Sequence, residues 1–163
     1  GSGLTIRLKL FTVPGQVIHN ATRRLVLQGA DGVAFIADSQ RAETKANAAA
    51  FVNLKQNLKD NGLDPGKIPT VIQFNKRDLP DVRPDEEIDQ LAQKGKEPVF
   101  KATATRGGGV METFMGLVRV TWDALEREHQ LKQKFQIKPD EVMRNLQEKL
   151  GISEAAARGG TAP

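Results

Sequence analysis

An α/β fold built on a mainly parallel sheet is what this sequence predicts, and three observations carry the prediction. Short apolar strands alternate with amphipathic helical stretches along most of the chain. One segment, Thr70-Val71-Ile72-Gln73-Phe74, is almost continuously apolar, as a strand covered on both faces must be. Polar clusters follow three of the strands at their C-terminal ends, where parallel sheets gather their ligands. Those clusters are Thr12-Val13-Pro14-Gly15-Gln16, Asn75-Lys76-Arg77-Asp78 and Lys101-Ala102-Thr103-Ala104-Thr105.

Taken in order, Leu4–Phe11 alternates apolar and polar residues and is expected as the first strand. A helix near Asn20–Gln28 follows, carrying Arg23 and Arg24 on either a solvated or a partner-facing side. Val33–Ala37 reads as a buried strand. Asp38 ends it on the ligand side, where it either N-caps the next helix together with Ser39 or contributes to the site. The next helix, about Arg41–Asp60, places Ala50, Phe51, Leu54 and Leu58 on one stripe and stops at Asn61-Gly62. Pro84-Asp85-Glu86-Glu87 opens a short helix to about Lys94, with acids in its first turn. A strand at Pro98–Ala102 precedes Gly107-Gly108-Gly109 and a long helix. Met111, Phe114, Met115, Val118, Trp122 and Leu125 recur there at three and four residues, the spacing of a core-facing stripe. Glu126–Lys134 reads as a continuation of that helix. Lys138-Pro139-Asp140-Glu141 then starts another, with Val142, Met143, Leu146 and Leu150 on one face and Gly151 as its stop. The division expected is an α/β domain over 1–125, a helical extension over 126–152 and a small, polar, disordered tail over 153–163. The extension either covers the body or docks a partner. Glu and Lys mix on its polar face, which argues against a membrane surface.

Composition narrows the classes. With 163 residues and 39% hydrophobic content the chain can bury a sizeable core. It has no cysteine, which excludes disulfides, thiol catalysis and Cys-ligated zinc and agrees with a reducing cytoplasm. No apolar run approaches the roughly 18 residues a membrane span needs, and no secretory signal is present. The net charge of +4, from 24 basic and 20 acidic residues, is mild and unclustered, so nucleic acid is not an expected partner. His19 and His129 stand alone without metal-ligand companions, and no metal ligand is expected. Gly1-Ser2 reads either as a cloning scar or as native sequence met partway along.

The group closing the Thr70–Phe74 strand is the most informative. An Asp just beyond a buried strand can accept two hydrogen bonds, from a ring N–H and an exocyclic amine. Guanine offers that pair and adenine does not. On this reading Asp78 selects guanine, Asn75 braces the loop, and Lys76 lays its methylene stem along the ring. Alone, N-K-x-D is four residues and reads equally as a polar turn ending in Asp78-Leu79-Pro80.

The order and wording of all three clusters resemble the bacterial gliding-motility small GTPases of the MglA family, within the Ras-like superfamily. T-V-P-G-Q at Thr12–Gln16 replaces the usual D-x-x-G-Q, and Gly32-Val33-Ala34-Phe35-Ile36-Ala37-Asp38-Ser39-Gln40 and Ile68–Pro80 are similar to the family in wording. The resemblance runs from about Gly3 to about Leu125. It implies a Ras-like P-loop NTPase fold and a GDP/GTP switch with Mg²⁺ as cofactor, controlling polarity or motility. A Roadblock-type activator is implied as partner. It further implies that Gly15 presents its N–H to the γ-phosphate and that Gln16 positions the attacking water as the catalytic residue. Thr103 and Ala104 would form the loop that meets the guanine oxygen through the Ala104 N–H. Thr12 stands where the superfamily usually has an Asp linked to Mg²⁺ through water, and the resembling family shares that change.

Such GTPases begin with a strand, a G-x-x-x-x-G-K-[S/T] phosphate loop, a helix and a switch loop. None of these precedes Leu4 here. Gly62-Leu63-Asp64-Pro65-Gly66-Lys67-Ile68 is one residue short between its glycines and follows a helix, so it reads as a helix stop and turn. Either the natural protein carries these elements upstream of Gly1, or the Leu4 and Val33 strands pair directly. The first reading gives a GTPase switch whose 163 residues are inactive alone; the alternative is a pseudo-GTPase scaffold without a phosphate loop.

Overall fold

The structure, a computed structural model, describes residues 6–13, 20–136 and 138–152. Three parallel strands form the sheet in the order β1-β2-β3: β1 (Val33–Asp38), β2 (Thr70–Asn75) and β3 (Val99–Lys101). Val33 pairs with Thr70 and Asp38 with Asn75, while Phe74 pairs with Lys101. The expected α/β class with a parallel sheet and flanking helices is therefore what the chain forms.

Helices α1 (Asn20–Leu27) and α2 (Thr44–Asp60) cover one face. Leu27, Val33 and Leu58 form the buried cluster there, joined by Leu54 and Ile68. The Phe35 and Phe51 rings meet at 5.0 Å, tilted by 58°, a geometry aromatic pairs favour. A 3-10 turn at Arg41–Glu43 leads into α2, so the regular helix starts three residues later than its sequence suggests. At its end Gly62 is left-handed at φ 75°. The Gly62 N–H donates to Lys59 O and the Leu63 N–H to Leu58 O, closing the last turn. The stretch Gly62–Ile68 is a stop and turn, as expected, with the Gly66 N–H donating to Asp64 Oδ1 at 2.8 Å.

On the opposite face lies α4 (Val110–His129). Gln73, buried in β2, donates to Thr113 Oγ1 at 2.6 Å, satisfying a polar group in the interior. Gly116 lets the helix approach β3, because a Cβ there would come within 2.2 Å of the Phe100 ring. Helix α3 (Asp85–Lys94) packs against β3.

The methionine stripe of α4 faces the C-terminal helix. Met115, Trp122 and Met143 form a second buried cluster, with Met111, Phe114, Val118, Leu131, Val142 and Leu146 against it. Helix α6 (Pro139–Leu150) thus lies on α4, and Arg119 pairs with Asp140 at 2.9 Å. Two expectations need correction. The long helix does not continue through Lys134: it stops at His129, Gln130 turns left-handed at φ 53°, and a short helix α5 (Leu131–Phe135) follows. The turn brings Leu131 and α6 back onto α4, and that apolar burial outweighs the gain of a straight helix. Leu150 is 45% exposed, with Ile152 packed in the cluster in its stead.

The strand expected over Leu4–Phe11 is also corrected for its described part: residues 6–13 form no regular structure, and Leu10 and Phe11 are exposed. They pair neither with β1 nor with any other described strand. Alternation alone does not make a strand, since its N–H and C=O groups need a ladder partner. The Ras-like arrangement puts another strand between Leu4–Phe11 and β1, and no described segment occupies that place. The tail 153–163 lies outside the described residues.

Candidate functional site

The C-terminal ends of β1, β2 and β3 lie side by side, and the loops leaving them build one surface. Register puts Asp38 directly beside Asn75. Beyond Asn75 the backbone turns at Lys76, left-handed at φ 63°, and the Arg77 N–H donates to Ala102 O at 3.1 Å. The loop after β2 is thereby fastened to the loop after β3.

That second loop is closed on itself. The Thr103 N–H donates to Gly108 O at 2.9 Å, around a 3-10 turn at Ala104–Arg106. Gly109 sits at φ 76°, and a Cβ there would lie 2.0 Å from Lys101 O. No other residue fits that conformation and that approach without strain. The two loops meet where the Ala104 N–H donates to Asn75 Oδ1 at 3.0 Å. Asn75, Lys76, Asp78, Thr103 and Ala104 therefore share one end of the sheet, with Lys76, Asp78 and Ala104 exposed and Asn75 and Thr103 half-buried. The Ala104 N–H is held by Asn75 here, so a ligand oxygen would share or displace that bond. Gly15 and Gln16 lie outside the described residues.

Arg77, the variable member of N-K-x-D, is tied to the segment leading into α3. Its guanidinium donates to Arg83 O at 2.5 Å and to Asp85 at 2.6 Å. Lys101 reaches Asp85 at 3.5 Å and Asp89 at 2.8 Å. Asp85, one of the acids expected to favour the start of α3, thus also ties Arg77 of the loop after β2 and Lys101 at the end of β3 to that helix. A second tie joins the loops after β1 and β2: Gln40 and Val82 form an antiparallel bridge, and the Arg83 N–H donates to Ser39 O at 2.8 Å. Arg41 and Arg83 both pair with Glu87. Sequence reasoning assigned Arg77 and Arg83 no part, because the partners that define them lie on other elements.

Asp38 does not cap α2. Its Oδ1 accepts the Gln40 N–H at 2.9 Å, turning the chain locally, and its Oδ2 accepts Lys76 Nζ at 2.6 Å. Asn47 of α2 clasps the Asp38 backbone, accepting its N–H at 3.1 Å and donating to its C=O at 2.8 Å. Burial by itself would raise the Asp38 carboxyl, but the Lys76 ammonium and the Gln40 N–H outweigh it and hold the group below its ordinary 3.8. Lys76 is raised above its ordinary 10.5 by the hydrogen bond and charge of Asp38.

Among the described residues no group of three or more His, Cys, Asp or Glu side chains could hold a metal ion. No described helix is long and apolar enough to cross a membrane.

No family model matches the chain. It is similar to the "Mutual gliding-motility protein MglA" of Myxococcus xanthus (strain DK1622), with 42% identity over 125 residues. The match covers 77% of this chain and 64% of that protein, so the chain spans less than two thirds of the curated relative's length.

Proposed function

This chain is a relative within the MglA family and carries part of a Ras-like fold, and from that premise we propose that it is the base-reading portion of a small GTPase switch. The carrying observation is the union of the two base loops: N-K-x-D and Thr103-Ala104 lie at adjacent strand ends, joined by the Ala104 N–H to Asn75 bond. On this reading Asp78 accepts the two guanine donors, Lys76 covers the ring, and Asn75 holds the second loop in place. Thr103 and Ala104 bound the guanine oxygen. Gly15 and Gln16 would serve the γ-phosphate and the attacking water, since phosphoryl transfer depends on positioning and charge stabilisation. In the full-length protein the GDP/GTP cycle would regulate motility and polarity in the cytoplasm, sped by a Roadblock-type activator. Mg²⁺ with the nucleotide phosphates would supply charge neutralisation; the described residues contribute base recognition only.

The test is titration of the full-length protein with GDP, XDP and ADP. The wild type should prefer GDP, and Asp78→Ala should cost about 3 kcal/mol, or roughly a hundredfold in affinity, by stranding guanine donors. Asp78→Asn should turn the preference toward XDP, whose ring carbonyl replaces the amine. Equal affinities for the three nucleotides would overturn the guanine reading and leave the scaffold alternative.

A further inference from the structure

Lys76 is exposed, on a left-handed backbone, at the mouth of the proposed base site. A lysine in that setting ordinarily samples many rotamers. This one is held. Its ammonium sits 2.6 Å from Asp38 Oδ2, and the Asp38 side chain is only 15% exposed against 54% for Lys76. Asp38 is in turn fixed three ways: by the Gln40 N–H on its other oxygen, by Asn47 on its backbone N–H, and by Asn47 again on its C=O. The register of the parallel pair delivers this alignment, since Asp38 and Asn75 are direct partners and Lys76 is the next residue.

We propose that Asp38 is a positioning residue for the nucleotide site, holding Lys76 at the end of the sheet so that its stem is already ordered when a base arrives. The inference rests on the guanine-site reading above. A fixed cation lowers the ordering cost of binding, so its benefit appears in affinity. Asp38 itself touches no base in this role; it acts through Lys76. The roles of a carboxylate and of a turn-former are separable here, because an Asn side chain also accepts the Gln40 N–H.

The experiment is a double-mutant cycle in the full-length protein, reading GDP and ADP affinity together with melting temperature. Asp38→Asn should weaken GDP about threefold to fivefold, the range of one partly exposed charge pair, with melting shifted little. In the Lys76→Ala background the same substitution should leave GDP affinity unchanged. Asp38→Ser, whose hydroxyl also accepts from Gln40, is the second variant should the Asn form fold poorly. An unchanged GDP affinity in both Asp38 variants overturns the proposal, as does an equal loss with and without Lys76. Failure of the underlying reading looks different: the wild type itself would then show no preference for GDP over ADP.

Discussion

The Asp38–Lys76 pair gives the residue scale its clearest pH signature. Asp38 is depressed below 3.8, so its contribution to stability is present above that value and is lost as pH falls through the folded-state value. Lys76 is raised above 10.5, so its contribution is present below 10.5 and is lost as pH rises through the folded-state value. The pair should therefore stabilise evenly between about pH 5 and pH 9, given the ordinary scatter of such groups. Melting curves of the full-length wild type and Asp38→Asn should differ by a constant amount across that window and converge in acid. A difference that grows as pH falls would contradict the pairing. Asn75, Lys76 and Asp78 were legible as a local motif, by residue type and spacing alone. Asp38 was not, because a short polar residue before a helix looks like a cap, and only the register of two strands reveals Lys76 as its partner.

At the scale of elements, α6 is held to α4 by few side chains, and Met143 is the buried centre at 5% exposure. Met143→Ala should cost about 2–5 kcal/mol in chemical unfolding, while GDP affinity of the full-length protein stays unchanged. A loss of affinity without loss of the fold would mean that α6 reaches the base loops. The helices and the three parallel strands were legible because their apolar periods and stop signals are local; Gly62 and Gly151 both end helices in left-handed turns. The turn at Gln130 was not, since neither Gly nor Pro marks it and the burial that drives it comes from residues farther along. The described part of the expected first strand, residues 6–11, failed for the converse reason: its pattern is that of a strand, but a strand is a property of two segments.

Across the whole molecule, the outer side of β1 carries no described strand, and Ile36 is 51% exposed there. The Ras-like fold that the sequence resembles sets a strand beside β1. Ile36→Asp should accordingly change the stability of the 163-residue polypeptide by less than about 0.5 kcal/mol. In the full-length protein the same change should cost about 3 kcal/mol or more, as a buried carboxylate without a partner does. Equal effects in both would mean that β1 is an edge strand throughout. A second expectation concerns turnover. The 163 residues hold no G-x-x-x-x-G-K-[S/T] loop to grip the β- and γ-phosphates, so the purified polypeptide with Mg²⁺ and GTP should release phosphate only at background. Turnover abolished by Gln16→Ala would demand a phosphate site built some other way.

The cluster between α4 and α6 has a spectroscopic consequence. Trp122 is the single tryptophan of these 163 residues, which contain no tyrosine. It is 6% exposed and packed in the same cluster as Met143. Emission excited at the indole band therefore originates from one position, at the seam between α4 and α6. With α6 docked the indole is shielded and emits to the blue; with α6 detached it meets water and shifts to the red. The chain carries its own optical reporter of that contact, readable without a label.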